Sequence, residues 1–196
     1  FSKIYYLGSK KIKRFHNKSL NLSVDTADAF EEVYWPFCLE NYENLFMKEL
    51  DQHKINIGKL ELSLKHFIKK ILFLRKKSYY LSKNNFNFLR CKVIQKIFPD
   101  SRFVYCIRNP IDVVYSLKKL DDHFSNSKKK SNYLYFTGHY EFGLEKKTPE
   151  IDNFQQVEDF WNLGDNLSAY LLQWIQVNKF IYSKYLIEPE MKNNFI

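Results

Sequence analysis

Glycine is scarce in this chain: five among 196 residues, at Gly8, Gly58, Gly138, Gly143 and Gly164. None stands in a loop with serine or threonine neighbours that leads into a helix. A glycine-rich phosphate cradle, which needs successive backbone amides turned inward, is therefore not readable. Cysteine is sparse and odd in number, with Cys38, Cys91 and Cys106 far apart. That excludes a disulfide framework, shows no metal-ligand spacing, and fits a reducing compartment such as the cytoplasm. No apolar run is long enough for a transmembrane helix. Acidic residues are outnumbered, 22 against 31 basic, for a net charge of +9. Such a field suits a polyanionic partner, either a multiply charged small molecule or nucleic acid. The basic runs, Lys10–Arg14, Arg75–Lys77 and Lys128–Lys130 among them, come without a helix-turn-helix, zinc knuckle or RNA-binding aromatic signature.

What is present is enough apolar residue, 45% of 196, for one domain over residues 1–196 with a sizeable core. The informative block is Tyr79 to Leu120. Tyr79–Leu81 precedes the turn-prone Lys83-Asn84-Asn85 and reads as a strand. Phe86, Leu89, Val93, Ile94, Ile97 and Phe98 follow at helical spacing, and Pro99-Asp100 stops that helix. Phe103 to Ile107 is an apolar run expected of a strand covered on both faces. Asn109 is placed to cap a second helix with Pro110 at its first position and Val113, Val114, Leu117 and Leu120 as its inward stripe. Two strands joined by a helix in so short a span predict a right-handed parallel crossover. Lys83 and Arg108 then lie just past two strand ends, where open parallel sheets bind ligands. Ser116, seven residues after Asn109, lies on about the same helix face. A guanidinium fork, a hydroxyl and a helix start suit a phosphate; the plain alternative is a surface ion pair between Arg108 and Asp112.

The block from Lys83 through IFPDSRFVYCIRNP (Ile97–Pro110) to Ser116 resembles the core of sulfotransferases that use 3′-phosphoadenosine-5′-phosphosulfate. The resemblance implies an α/β, P-loop-NTPase-like three-layer fold with a central parallel sheet flanked by helices. It implies that Arg108 and Ser116 hold the donor's 3′-phosphate, within a core at residues 79–120, and that Lys83 lies near the transferring sulfuryl group. Many relatives carry proline two residues after that lysine, where this chain has Asn85. The family's glycine-rich donor loop is missing, so the chain is expected to be N-terminally truncated. Asp25 to Trp35 looks like the acidic segment of some bacterial-type members, and Gly138 to Gly143 is similar to their C-terminal part. The activity implied is transfer of a sulfuryl group to a hydroxyl or amine of a small-molecule, carbohydrate or other acceptor, without a metal. The alternative is a non-catalytic basic module binding nucleic acid or another polyanion.

A general base is needed, and Glu31 and Glu32 are the first candidates; about 100° apart on a helix, at most one of them faces a site. An ordinary acidic helix start explains them equally. Asp25, His16 and His139 follow as weaker choices, and Trp161 and Trp174 read as core. Elsewhere, Ala27–Tyr42 reads as a helix interrupted at Pro36. Lys59–Arg75 is an amphipathic helix with Leu60, Leu64, Phe67, Ile68, Ile71 and Leu74 on one face. Residues 121–152 form a polar excursion, a possible lid loop, and Val157–Tyr185 a long core helix.

Overall fold

A computed structural model describes residues 12–14, 17–22, 35, 39, 47–50, 55–136 and 139–196. The described chain is mainly helical. An antiparallel hairpin, β1 (Ile12–Arg14) and β2 (Asn17–Leu22), opens it. Helices α1 (Ile57–Arg75), α2 (Cys91–Ile97), α3 (Pro110–Ser125), α4 (Lys128–Phe136), α5 (Phe154–Asn162), α6 (Asn166–Ile181) and α7 (Pro189–Lys192) follow. A central parallel sheet is not shown among the described residues. The helix read over Ala27–Tyr42 lies outside them, apart from Trp35 and Leu39.

Local chemistry sets the helix ends. Asn56 accepts from Lys59 N at 3.0 Å to start α1, and Lys76, in the left-handed region at φ 51°, closes it. Leu60 and Leu64 bury against Val93 and Ile97 of α2, together with Trp35, Leu39 and Leu50. Each such side chain contributes about 1.5–3 kcal/mol by leaving water. The guanidinium of buried Arg90 lies over the Trp35 ring at 4.8 Å. Leu74, at the end of the stripe, is exposed.

The two expected strands come out differently. Residues 79–84 take no regular secondary structure, with Tyr79 and Leu81 about nine-tenths exposed. Among the described residues that segment has no ladder partner, and the expected parallel crossover is not shown. Phe103 makes one parallel bridge to Phe195: its N–H donates to Asn194 O at 2.7 Å, and its carbonyl accepts from Ile196 N at 2.9 Å. Phe103 and Tyr105 pack inward on the C-terminal segment. Val104 and Ile107, at 68% and 65% exposure, face outward. Among the described residues the run is covered on one face, not two, because the C-terminal helices pack against Phe103 and Tyr105 from one side only.

Helix α3 begins as expected, with Asn109 Oδ1 accepting from Ile111 N at 2.9 Å. It buries Val114, half-buries Val113, Leu117 and Leu120, and continues to Ser125. With α4, it takes up much of the span read as a loop. The expected long C-terminal helix is two, α5 and α6, broken at Gly164, whose φ of +77° glycine adopts without strain. Asp165 then caps α6 by accepting from Ser168 N at 3.1 Å. Helix α6 packs on α3 and α5 and runs into a wide turn at Tyr182–Leu186. There buried Tyr185 stacks on Phe195 and donates its hydroxyl to Phe88 O. No helix of the described residues is long and apolar enough to cross a membrane.

Candidate functional site

The extended segment ending at Arg108, the start of α3, the middle of α6 and the turns at 85–88 and 139–149 enclose a cleft of about 290 Å³. Its walls are mostly apolar, with Phe86, Phe88, Tyr105, Val113, Leu117 and Trp174 supplying them. Trp174, read as core, is a half-buried wall of this cleft. Trp161 packs edge-on against Tyr170, with the Lys146 ammonium 5.5 Å from its ring. Among the described residues no group of three or more histidine, cysteine or acidic side chains is arranged to hold a metal.

Arg108 lines this cleft and is exposed. It makes no ion pair with a described residue, Asp112 included, so the surface-pair alternative is not what the structure adopts. Ser116 is exposed on α3, about 60° around the helix from the lining residue Val113 and about 100° from Leu117. It therefore sits on the flank rather than in the wall. Lys83 is exposed and is not among the lining residues, although Asn85 two positions on is. Glu31, Glu32, Asp25 and His16 lie outside the described residues.

The carboxylate the structure does place in the cleft is Glu141, which the sequence reading passed over. Its side chain is 13% exposed. Oε1 accepts a short hydrogen bond from Asn85 Nδ2. Oε2 lies 3.5 Å from His139 Nδ1, an electrostatic contact rather than a well-formed hydrogen bond, and it has no hydrogen-bond partner among the described residues. Burial by itself would raise the Glu141 pKa. The His139 ring and the Asn85 amide outweigh it and hold the carboxyl below the usual carboxylate range. One signal was available: Asn85 stands where the resemblance leads one to expect proline, and an asparagine carries a side-chain donor.

The segment carrying Glu141 is strapped down. Asp121 of α3, 1% exposed, accepts from Gly143 N at 2.9 Å, Lys146 Nζ at 3.0 Å and Ser125 Oγ at 3.2 Å. Gly143 takes φ +102°, which a side chain would strain. Leu144 N donates to Ser131 Oγ at 3.0 Å, and Tyr170 OH donates to the Glu141 carbonyl at 3.3 Å. Burial, then the nearby Asp121, push the Tyr170 phenol pKa well up, so it stays a donor.

The arrangement sets a guanidinium without an ion pair among the described residues, and a mostly buried carboxylate, in the lining of one apolar cleft. A sequence model described as "Sulfotransferase family" matches residues 21–158, a span that includes Lys83, Arg108, Ser116 and Glu141. No curated protein and no solved structure matches the chain.

Proposed function

The chain belongs to the sulfotransferase family and is a transferase of sulfuryl groups, and on that premise we propose that its donor is 3′-phosphoadenosine-5′-phosphosulfate and its acceptor a hydroxyl or amine. The family's P-loop-like α/β fold is part of this reading. The observation that carries it is Arg108: exposed, unpaired among the described residues, and set where the extended segment meets the capped start of α3. A cation so placed suits a terminal phosphate, and Ser116 on the same helix adds a hydroxyl. Lys83 is the proposed cation for the charge that builds on the leaving phosphate. Glu31 and Glu32 remain proposed proton acceptors from the acidic segment. The cytoplasm is the proposed compartment, supported by free thiols at Cys91 and Cys106.

The bound donor supplies an activated sulfuryl group on a phosphate leaving group. The chain's own work is placement and neutralisation: Arg108 and Ser116 fix the 3′-phosphate end, Lys83 offsets charge, and a carboxylate takes the acceptor's proton. The test is thermal stabilisation by 3′,5′-adenosine bisphosphate. It should be clear with the wild-type chain, absent in Arg108→Ala, and not reproduced by 5′-AMP. Equal stabilisation of both chains would sink the assignment. Salt-sensitive binding to any DNA, indifferent to Arg108, would favour a polyanion-binding module instead.

A further inference from the structure

Glu141 and Asn85 are 56 residues apart in sequence, yet their side chains meet in the lining of the cleft. The bond uses Oε1 and leaves Oε2 buried without a hydrogen-bond donor among the described residues. The His139 ring, 3.5 Å away, balances its charge without a well-formed hydrogen bond, which leaves the oxygen able to accept one from a ligand. Two other polar groups of the cleft, Tyr105 and Asn178, are already engaged, whereas Arg108 stays available for an anion. Tyr105 OH donates to Asn178 Oδ1 at 2.9 Å, and Asn178 Nδ2 donates to Trp174 O at 2.7 Å. Around them the walls are aromatic and aliphatic. A carbohydrate would leave most of its hydroxyls facing Phe86, Phe88, Val113 and Leu117.

We propose that Glu141 Oε2, in place of Glu31 or Glu32, receives the hydrogen of the acceptor, and that the cleft takes an acceptor with a flat apolar body ending in one O–H or N–H. This rests on the sulfuryl-transfer reading above. The acceptor's oxygen or nitrogen forms the new bond to sulfur as its proton passes to Oε2. The bond from sulfur to the bridging oxygen breaks, and its electron pair leaves on the bisphosphate. Water then takes the proton from the Glu141 carboxyl. Asn85 and His139 act as positioning residues: the amide fixes Oε1, and the ring lies beside Oε2. The asparagine in place of proline thereby joins the lysine turn to the carboxylate.

The experiment titrates 4-nitrophenol, nitrobenzene and galactose into the wild-type chain, Glu141→Gln and Glu141→Leu, with 3′,5′-adenosine bisphosphate present. The wild-type chain should bind 4-nitrophenol about tenfold more tightly than nitrobenzene, which lacks the hydroxyl. Its bound probe should stay the colourless phenol to a higher pH than in free solution, because a carboxylate disfavours the phenolate. Glu141→Leu should lose both the preference and the shift while binding the bisphosphate like wild type. Glu141→Gln keeps an acceptor but no charge, so the preference survives and the shift disappears. That variant alone decides if the leucine variant does not fold. An unchanged shift in Glu141→Gln, or galactose bound more tightly than 4-nitrophenol, overturns the proposal. Phenol preference without bisphosphate binding in the wild-type chain sinks only the donor assignment.

Discussion

The two sides of the cleft hold their charged groups in opposite ways. On the side of residues 139–149, Glu141 is mostly buried and Asp121 of α3, which ties that segment down, is fully buried; each is bound by partners distant in sequence. On the side of residues 83–116, Lys83, Arg108 and Ser116 are exposed and make no described contact. A buried charge must be compensated within the fold, whereas an exposed cation can wait in water for an anionic ligand. Substitutions on the first side should therefore cost stability, and those on the second should cost binding.

Asp121→Ala breaks that comparison most directly. It strands the Lys146 ammonium, mostly buried, and the Gly143 N–H. Urea denaturation should show a loss of about 3–5 kcal/mol, against less than about 0.5 kcal/mol for Arg108→Ala. Similar losses in both would erase the distinction. Next in size, Arg108→Ala should weaken 3′,5′-adenosine bisphosphate by about 1.5–3 kcal/mol, the worth of a charged hydrogen bond. Calorimetry checks this, and an unchanged affinity would move the phosphate site elsewhere.

A smaller effect concerns pH. Because the folded Glu141 pKa lies below its ordinary 4.5, the unfolded chain binds the proton more readily. The stability contributed by the ionised carboxylate is complete above that value and drains away as pH falls through the depressed one. Urea midpoints measured from about pH 6 down to about pH 3 should fall less steeply in Glu141→Gln than in wild type. Parallel slopes would mean the carboxyl is not held ionised. The smallest expected difference is chemical. Cys106 lines the cleft and is exposed, whereas burial pushes the Cys91 thiol up to about 12. In a Cys38→Ser background, maleimide should label one thiol quickly, and the bisphosphate should slow it. Fast labelling of Cys91 instead would contradict the packing around it.

Helices α1 and α3 and the end of α2 were legible because their signals are local: a stripe at about 3.6-residue spacing, Asn109-Pro110 as a start, and Pro99 as a stop. The stripe's first residues, from Phe86, fall instead in a turn with one 3-10 segment at Asn87–Leu89, and α2 begins only at Cys91. The long C-terminal helix was read through Gly164, since an isolated glycine does not interrupt an apolar period. Phe103–Ile107 was read as covered on both faces, since apolarity along a run does not say how many neighbours it finds. Arg108 was legible as a cation beside a helix start, but its lack of an ion pair with Asp112 was not. Glu141 was not, because nothing near it in sequence reports its burial.

By itself the sequence determined where α3 begins, which family the residues between Lys83 and Ser116 resemble, and that a basic residue stands at the start of α3. Only the tertiary structure decided that Asn85 meets Glu141, that Asp121 ties down the loop beside it, and that Trp174 is a wall rather than core. Caps and apolar periods act over a few residues, so the chain writes them down in order. The protonation and reach of a buried carboxylate depend on what folding brings around it from far along the chain, and spacing does not encode that.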